Sequence, residues 1–432
     1  MAQSLRRELG LFECVAYGTG IILGAGIYAL ISVAAALAGP ALWMSFLIGA
    51  LIALLTGLSY AELSSRFPKA AAEYVYIKEA FGSEWLAFLI GWLILITGVT
   101  SSATVALGFA GYLGELLGAP DWLNVPLAIL LIALLSLLNY AGIKESAKVN
   151  IVCTAAEVLG LLIIIAIGLP RLGSVDYLYQ PQGLEGVLAA AAVVFFAYIG
   201  FEDIANIAEE TRNPEKTIPL AILLSILITA MIYVLVGLSS VSVVGWGELS
   251  RSNAPLALVA SRALGRAAHV LLSVIALFST ANTVLIALIV GSRMAWGMAR
   301  DGSMPSFLSK VDPRRGTPWA SILVIGASAA VFAVVGDIGV AAGITSFGVF
   351  ITFLLVNLSA AILRYKDPSL NVVIRTPGVG RIALIPLLGA ASCLIMATQF
   401  EPFVVLVGIA ALLTGIPAYL LIREKRGKLW RL

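Results

Sequence analysis

An all-α integral membrane protein of twelve transmembrane helices, with helices 1 and 6 interrupted, is the architecture this sequence predicts. Three observations carry that reading. The 432 residues are 60% hydrophobic and 12% charged, with a mean hydropathy of +1.02, more apolar surface than a water-soluble fold can hide. Apolar stretches of about 18 residues or more, the length that crosses a bilayer, recur along the whole chain. Two of those stretches carry glycines or carboxylates near mid-span, where a continuous helix has no use for them.

In chain order the spans are drawn at 11–37, 41–65, 84–113, 123–141, 147–169, 185–208, 217–243, 268–299, 318–336, 340–363, 381–399 and 402–422. Spans 3 and 8 are long enough to tilt or to project beyond the bilayer. No basic–apolar–small-residue cleavage pattern precedes Leu11, so the first stretch reads as a retained span. Of the 27 Lys/Arg, only Arg171, Arg251, Arg262 and Arg266 fall on the side opposite the termini. The positive-inside rule then places both termini in the cytoplasm, in a multi-pass protein of the cell membrane. The connecting segments are too short for a soluble domain. Cys14, Cys153 and Cys393 lie in separate apolar spans without metal spacing, and read as packing residues. The single histidine, His269, reads as a helix-end residue and cannot form a metal site alone.

Span 1, "LFECVAYGTGIILGAGIYALISVAAALAG", crowds Gly18, Gly20, Gly24 and Gly26 into its middle. Taken alone that is a helix-packing pattern, with Gly20 and Gly24 forming a small-xxx-small face. Span 6, "VLAAAAVVFFAYIGFEDIANIAEE", has Gly200 at mid-span followed by Glu202 and Asp203, which are poor packing residues. Gly24 lies 13 residues after Leu11, and Ile199 lies 13 after Gly186, so two weak points sit at matching depths in spans five apart. Paired interruptions of this kind mark substrate sites in transporters. An unwound segment offers amide hydrogens to a carboxylate at one end and carbonyls to an ammonium at the other. A zwitterionic α-amino acid matches both ends.

"GIILGAGIY", "ELSSRFPKAAAEYVYIKEAFG", "VFFAYIGFEDIANIAEETRNPEKTIPLAI" and "GSRMAWGMARDGSMPSFLSKVDPRRGTPWASI" resemble the amino acid–polyamine–organocation (APC) superfamily. The similarity is greatest to its cationic-amino-acid-transporter-like and prokaryotic amino-acid permease branches. It covers nearly the whole chain, with four motifs in the family's order. It implies a LeuT-type fold within one membrane domain spanning 1–432. Inverted repeats would occupy about 11–169 and 185–363, followed by two further helices at about 381–422. Carried over by motif, the amides of Ala25, Gly26 and Ile27 would receive the substrate carboxylate. The carbonyls of Ile22, Phe196, Ala197 and Ile199 would receive its ammonium. Phe196 occupies the position of an aromatic gate in relatives, and Glu202 that of an acidic residue associated with gating. Glu202 reads equally as a cap on the second half-helix, while Asp203, turned by about 100°, faces elsewhere. The charges of "EETRNPEKTIP" and "RDGSMP" are expected to be solvated or paired across the inner gate.

Glu157, in "VCTAAEVLGL" of span 5, stands alone among apolar residues. By resemblance it falls where relatives place a lysine, which fills the space of a sodium ion in sodium-driven members. Here the charge is reversed. The residue can be a proton carrier, a sodium ligand together with the span 8 hydroxyls of Ser279 or Thr280, or a permanently neutral buried acid. Hydroxyls also cluster in span 3 (Thr97, Thr100, Ser101, Ser102, Thr104) and span 8 (Asn282, Thr283), and some are expected to line a pocket. No phosphate-binding loop and no nucleophile–base pair is present, so neither an ATP-driven pump nor an enzyme is expected. The expectation is a secondary amino-acid transporter, proton-coupled and carrying neutral substrates. Sodium symport, exchange including cationic amino acids, and a non-transporting sensor are the alternatives. No cofactor is expected beyond the coupling proton or sodium, and no assured metal. The expected partners are the amino-acid substrate and the lipid bilayer, without nucleic acid. The loop between spans 3 and 4 has no cysteine, so no disulfide-linked accessory subunit is expected.

Overall fold

The computed structural model describes residues 5–252, 255–335, 338–367, 373–397 and 402–429. Among them the chain is helical apart from loops and two isolated bridges, Leu9 with Thr211 and Val379 with Ile382. Nine helical stretches among the described residues are long and apolar enough to cross a membrane, and each of the twelve predicted ranges contains helix. The predicted ends of span 9 at 336 and of span 11 at 398–399 lie outside the described residues. Packing joins elements five spans apart. Leu42–Arg66 lies along Pro214–Val243, Glu84–Leu117 along Arg266–Arg300, and Asn124–Ala141 along Trp319–Val335. Leu11–Ile22 is held between Ile143–Gly168 and Pro214–Val243. The three cysteines are free and buried.

Both predicted interruptions are present. The first helix stops at Ile22, passes through Leu23 and Gly24, and restarts as Ala25–Ala38. Span 6 runs as an α-helix over Gly183–Val194, tightens into a 3₁₀ turn over Phe195–Tyr198, and opens at extended Ile199. Gly200 adopts φ 121°, a conformation that a side chain would strain, and reverses the chain into the second half. That half, Phe201–Glu210, is a ten-residue 3₁₀ helix instead of the expected α-helix. Such runs are uncommon and often mark a hinge. The breaks lie against one another. A Cβ on Gly26 would sit 3.0 Å from Ala197 Cα, a contact tight enough that the two backbones would have to shift apart by a few tenths of an ångström.

On the side of the N-terminal segment, buried polar contacts tie the elements together. Arg293 donates from Nε and Nη2 to Glu210 at 2.9 and 2.8 Å, and from Nη1 to Asn139 at 2.5 Å. Both ionic side chains are fully buried. Glu210 also accepts, through its backbone carbonyl, from the amides of Glu8 and Leu9. Glu209 pairs with Arg300, whose guanidinium lies 4.3 Å above the Trp296 ring. Glu209 and Glu210 of the "EETRNPEKTIP" segment are thus paired with arginines of Arg266–Arg300. The short helix Ala72–Phe81, between spans 2 and 3, is anchored by the buried carboxylate of Glu73. That carboxylate accepts from Tyr60 Oη at 3.2 Å and Asn206 Nδ2 at 3.1 Å.

Removing one partner of a buried ion pair strands the other charge. Arg293→Met is therefore expected to lower stability by about 3–5 kcal/mol, and Arg293→Met with Glu210→Leu by much less. Denaturation of the detergent-solubilised variants measures the difference. Burial raises the Glu73 carboxyl from its ordinary 4.5 to about 7, opposed by hydrogen bonds including those from Asn206 and Tyr60. The folded chain thus holds a proton that the unfolded chain releases in this window. Its contribution, of order 3 kcal/mol, is complete below about pH 4.5 and is lost as the pH rises through 7. Melting temperature should fall over that window, and Glu73→Gln should flatten that part of the profile.

Candidate functional site

The two breaks open onto a cavity of about 280 Å³ bounded by spans 1, 3, 6, 8 and 10 and by Glu73 of the short helix. Of the expected substrate residues, Ile22, Gly26, Phe196, Ala197 and Ile199 line it, as does Glu202. Ile27 does not line it, and the Ala25 side chain lies outside the described residues. Ala25 and Ile27 are expected to act through their backbone amides. They flank Gly26 as the first positions of Ala25–Ala38, where backbone amides lack intrahelical acceptors. Phe196 lines the cavity with its ring 5.5 Å from Phe350, while Phe195 is buried against Phe350 and Phe353. Glu202 accepts a 2.8 Å hydrogen bond from the amide of Gly200, the residue just before the second half-helix. Asp203 lines the same cavity, contrary to the turn expected from an α-helical wheel. Its segment is 3₁₀, and the cavity extends along it toward Glu73.

The hydroxyls divide clearly. Thr97 and Ser101, one turn apart in span 3, line the cavity with Thr283 of span 8 and Thr345 and Thr352 of span 10. Thr97 and Thr352 keep buried Oγ1 atoms without a hydrogen-bond partner. Thr100 and Ser102 instead bond to their own helix backbone. The cavity is therefore apolar on much of its wall, hydroxyl-lined on one flank and acidic toward Glu73, Glu202 and Asp203. No lysine or arginine among the described residues lines it.

Two contributors escaped the sequence reading. Tyr233, fully buried in span 7, donates from Oη toward Ile22 O at 2.5 Å and Ala197 O at 3.0 Å. It thus spans both breaks through two of the carbonyls expected to face an ammonium. Each carbonyl retains a second lone pair for a ligand. A lone tyrosine at the centre of an apolar helix was the available signal. Glu73 was hidden by its place in a connector that reads as a surface helix.

Glu157 lies outside this cavity, fully buried between spans 5, 1 and 8. Its Oε1 accepts from Asn282 Nδ2 at 3.5 Å, while Oε2 has no hydrogen-bond partner. Ser279 adjoins it with a buried hydroxyl directed at the carboxylate. Thr280 turns away and donates to Ala276 O of its own helix at 2.8 Å. Asn282 also receives a 2.9 Å bond from Asn150 and reaches Thr154, whose hydroxyl donates to Ala16 O of the first helix at 3.2 Å. Asn150, Thr154 and Glu157 share one face of span 5 at helical spacing. The acid is the end of a polar ladder rather than an isolated charge.

Residues 9–422 match the family described as amino acid permease. Over 99% of its length the chain is 31% identical to the branched-chain amino acid permease BcaP of Bacillus subtilis (strain 168), covering 95% of that protein. It is 34% identical to the vacuolar cationic amino acid transporter 4 of Arabidopsis thaliana, over 84% of this chain and 64% of that protein. It is also 30% identical to the methylthioribose transporter of Bacillus subtilis (strain 168), over 91% of this chain and 88% of that protein. With paired helix breaks around one cavity and a family match across nearly its whole length, the chain belongs to the amino acid permease family of the APC superfamily.

Proposed function

We propose that this transporter carries neutral amino acids together with protons across the cell membrane by alternating access, with both termini in the cytoplasm. The substrate's carboxylate would meet the amides of Ala25, Gly26 and Ile27. Its ammonium would meet carbonyls of Ile22, Phe196, Ala197 and Ile199. Apolar Ile94, Val290 and Val349 leave room in the cavity for an aliphatic side chain. Phe196 and Glu202 would gate the pocket. The packing of elements five spans apart supports an inverted repeat of about 11–169 and 185–363, with two helices beyond it.

Glu157 carries the choice of a proton over sodium. Sodium would need several oxygen ligands around it, and the nearest bonded neighbour, Asn282, presents an N–H instead of a lone pair. A fully buried carboxyl with one such donor and one unpartnered oxygen is suited to bind and release a proton. Ser279 would share that site, whereas the Thr280 hydroxyl is engaged by its own backbone.

A second substrate reading rests on the three carboxylates that line the cavity, with no basic side chain beside them among the described residues. That end would suit the side chain of a cationic amino acid. In proteoliposomes with an inward proton gradient, leucine or valine should be accumulated, and excess arginine should compete weakly. Strong competition by arginine with no accumulation of leucine establishes the second reading. Glu157→Gln should abolish accumulation above the external concentration under a pH gradient while retaining exchange of internal for external substrate. Full accumulation by this variant removes Glu157 from the coupling step, and accumulation driven by sodium alone replaces the proton.

A further inference from the structure

Far from the substrate cavity, an outward-facing groove of about 660 Å³ runs between Asn124–Ala141 and Trp319–Val335. Its walls are apolar and face outward, with Leu137 and Leu323 more than half exposed. Its chemistry changes at one end, where Tyr140 and Asp312 line it. The Asp312 carboxylate is fully engaged there. Oδ1 accepts from the backbone amides of Arg314 and Arg315 at 2.8 and 3.0 Å, and Oδ2 from Tyr140 Oη at 2.9 Å. The guanidinium of Arg315 lies 4.4 Å over the Tyr140 ring. Arg314 and Arg315 are exposed, and neither forms an ion pair among the described residues. The end of the groove therefore holds two available cations beside an acid already satisfied by three donors.

Two further features fit the depth profile of a lipid. Trp319 is 42% exposed at the same end, the interfacial position that indoles favour. Ser136 lies one turn from Tyr140, about 6 Å farther along the helix. The residue lines the groove, with its Oγ buried against Gly326 of the facing helix. A phospholipid presents its groups in that sequence, with the phosphate at the interface, an ester carbonyl a few ångströms deeper, and then hydrocarbon. We propose that this groove binds an anionic glycerophospholipid, with the phosphate at Arg314 and Arg315, the ester carbonyls at the depth of Ser136, and an acyl chain along the apolar walls. The leaflet concerned is the one on the side of the N-terminal segment, because Arg6 donates to the Arg314 carbonyl. Basic pockets between membrane helices select anionic headgroups by this combination of charge and groove.

The test offers the purified full-length chain equal amounts of phosphatidylglycerol and phosphatidylcholine with identical acyl chains, and reads retained lipid by native mass spectrometry. Phosphatidylglycerol should be retained preferentially. Arg314→Gln with Arg315→Gln should erase that preference, each arginine contributing about fivefold. Ala327→Phe, which fills the groove from an exposed position, should reduce retention of phosphatidylglycerol, and Ala133→Phe on the opposite wall should do the same. Millimolar inorganic phosphate should not displace the lipid. Substrate-induced melting shifts like those of the unaltered chain establish that the variants fold. The proposal is overturned by equal retention of the two lipids, by a preference that survives the double arginine change, or by full retention in both phenylalanine variants. It is also overturned by displacement with phosphate alone, or by a dimer that Ala327→Phe dissociates, which would assign the groove to a second copy of the chain.

Discussion

Within a bilayer core no backbone amide or carbonyl can turn to bulk water, so an interrupted helix survives only where protein or a polar cavity meets its freed groups. That constraint organises this molecule. The breaks at Leu23–Gly24 and Ile199–Gly200 are placed face to face, with Gly26 against Ala197 and the Tyr233 hydroxyl between carbonyls of both. The surrounding helices enclose the opening, and the cavity they leave is bounded by the groups the breaks set free. Binding capacity and structural weakness therefore come from the same residues. A ligand that donates to these carbonyls and accepts from the amides at the start of Ala25–Ala38 would supply partners that the helix itself lacks.

The end of the molecule on the side of the N-terminal segment is tied by charge. A buried arginine–carboxylate pair is a weak source of stability compared with apolar packing, but breaking it is costly. Arg293 and Glu210 meet only when span 8, the end of span 6 and Asn139 of span 4 are in register. The Glu210 backbone simultaneously receives the amides of Glu8 and Leu9, just before the first helix. The pair thus favours one arrangement of these elements over looser alternatives. A ten-residue 3₁₀ segment leads into it, and its strained hydrogen-bond geometry makes that segment easier to rearrange than an α-helix of equal length.

Much of this was legible in the residue pattern because hydrophobic length and glycine placement report directly on membrane crossing and helix breaks. Gly200 followed by Glu202 located the second interruption to the residue, and Phe196, singled out beside it, lines the cavity. What escaped were contacts set by tertiary register. Tyr233 lies some 30 residues beyond the second break and reads locally as an ordinary buried aromatic. Glu73 belongs to a connector, and only folding brings it beneath Glu202. Asp203 was turned away by assuming α-helical periodicity in a segment that is 3₁₀. Among the span 3 hydroxyls, composition cannot distinguish Thr97, which faces the cavity, from Thr100, which bonds to its own helix, because the two differ only by rotation about the helix axis.

The separation of Glu157 from the cavity constrains any coupling scheme. A proton there cannot act on the substrate by direct contact, since the acid is sealed among spans 1, 5 and 8. In the proton-coupled scheme proposed here, its influence must pass through a shared element, and the first half-helix is in place to serve. Thr154 donates to Ala16 on Leu11–Ile22, Asn282 contacts both Thr154 and Glu157, and the same half-helix ends at Ile22, whose carbonyl borders the cavity. Charging the acid would change the hydrogen-bond demand on Asn282, which can satisfy Glu157 and Thr154 only by dividing its N–H donors between them. Substrate at Ile22 and a proton at Glu157 would then bias the position of one rigid rod from two points along its length. Linkage makes that bias reciprocal for the two binding equilibria.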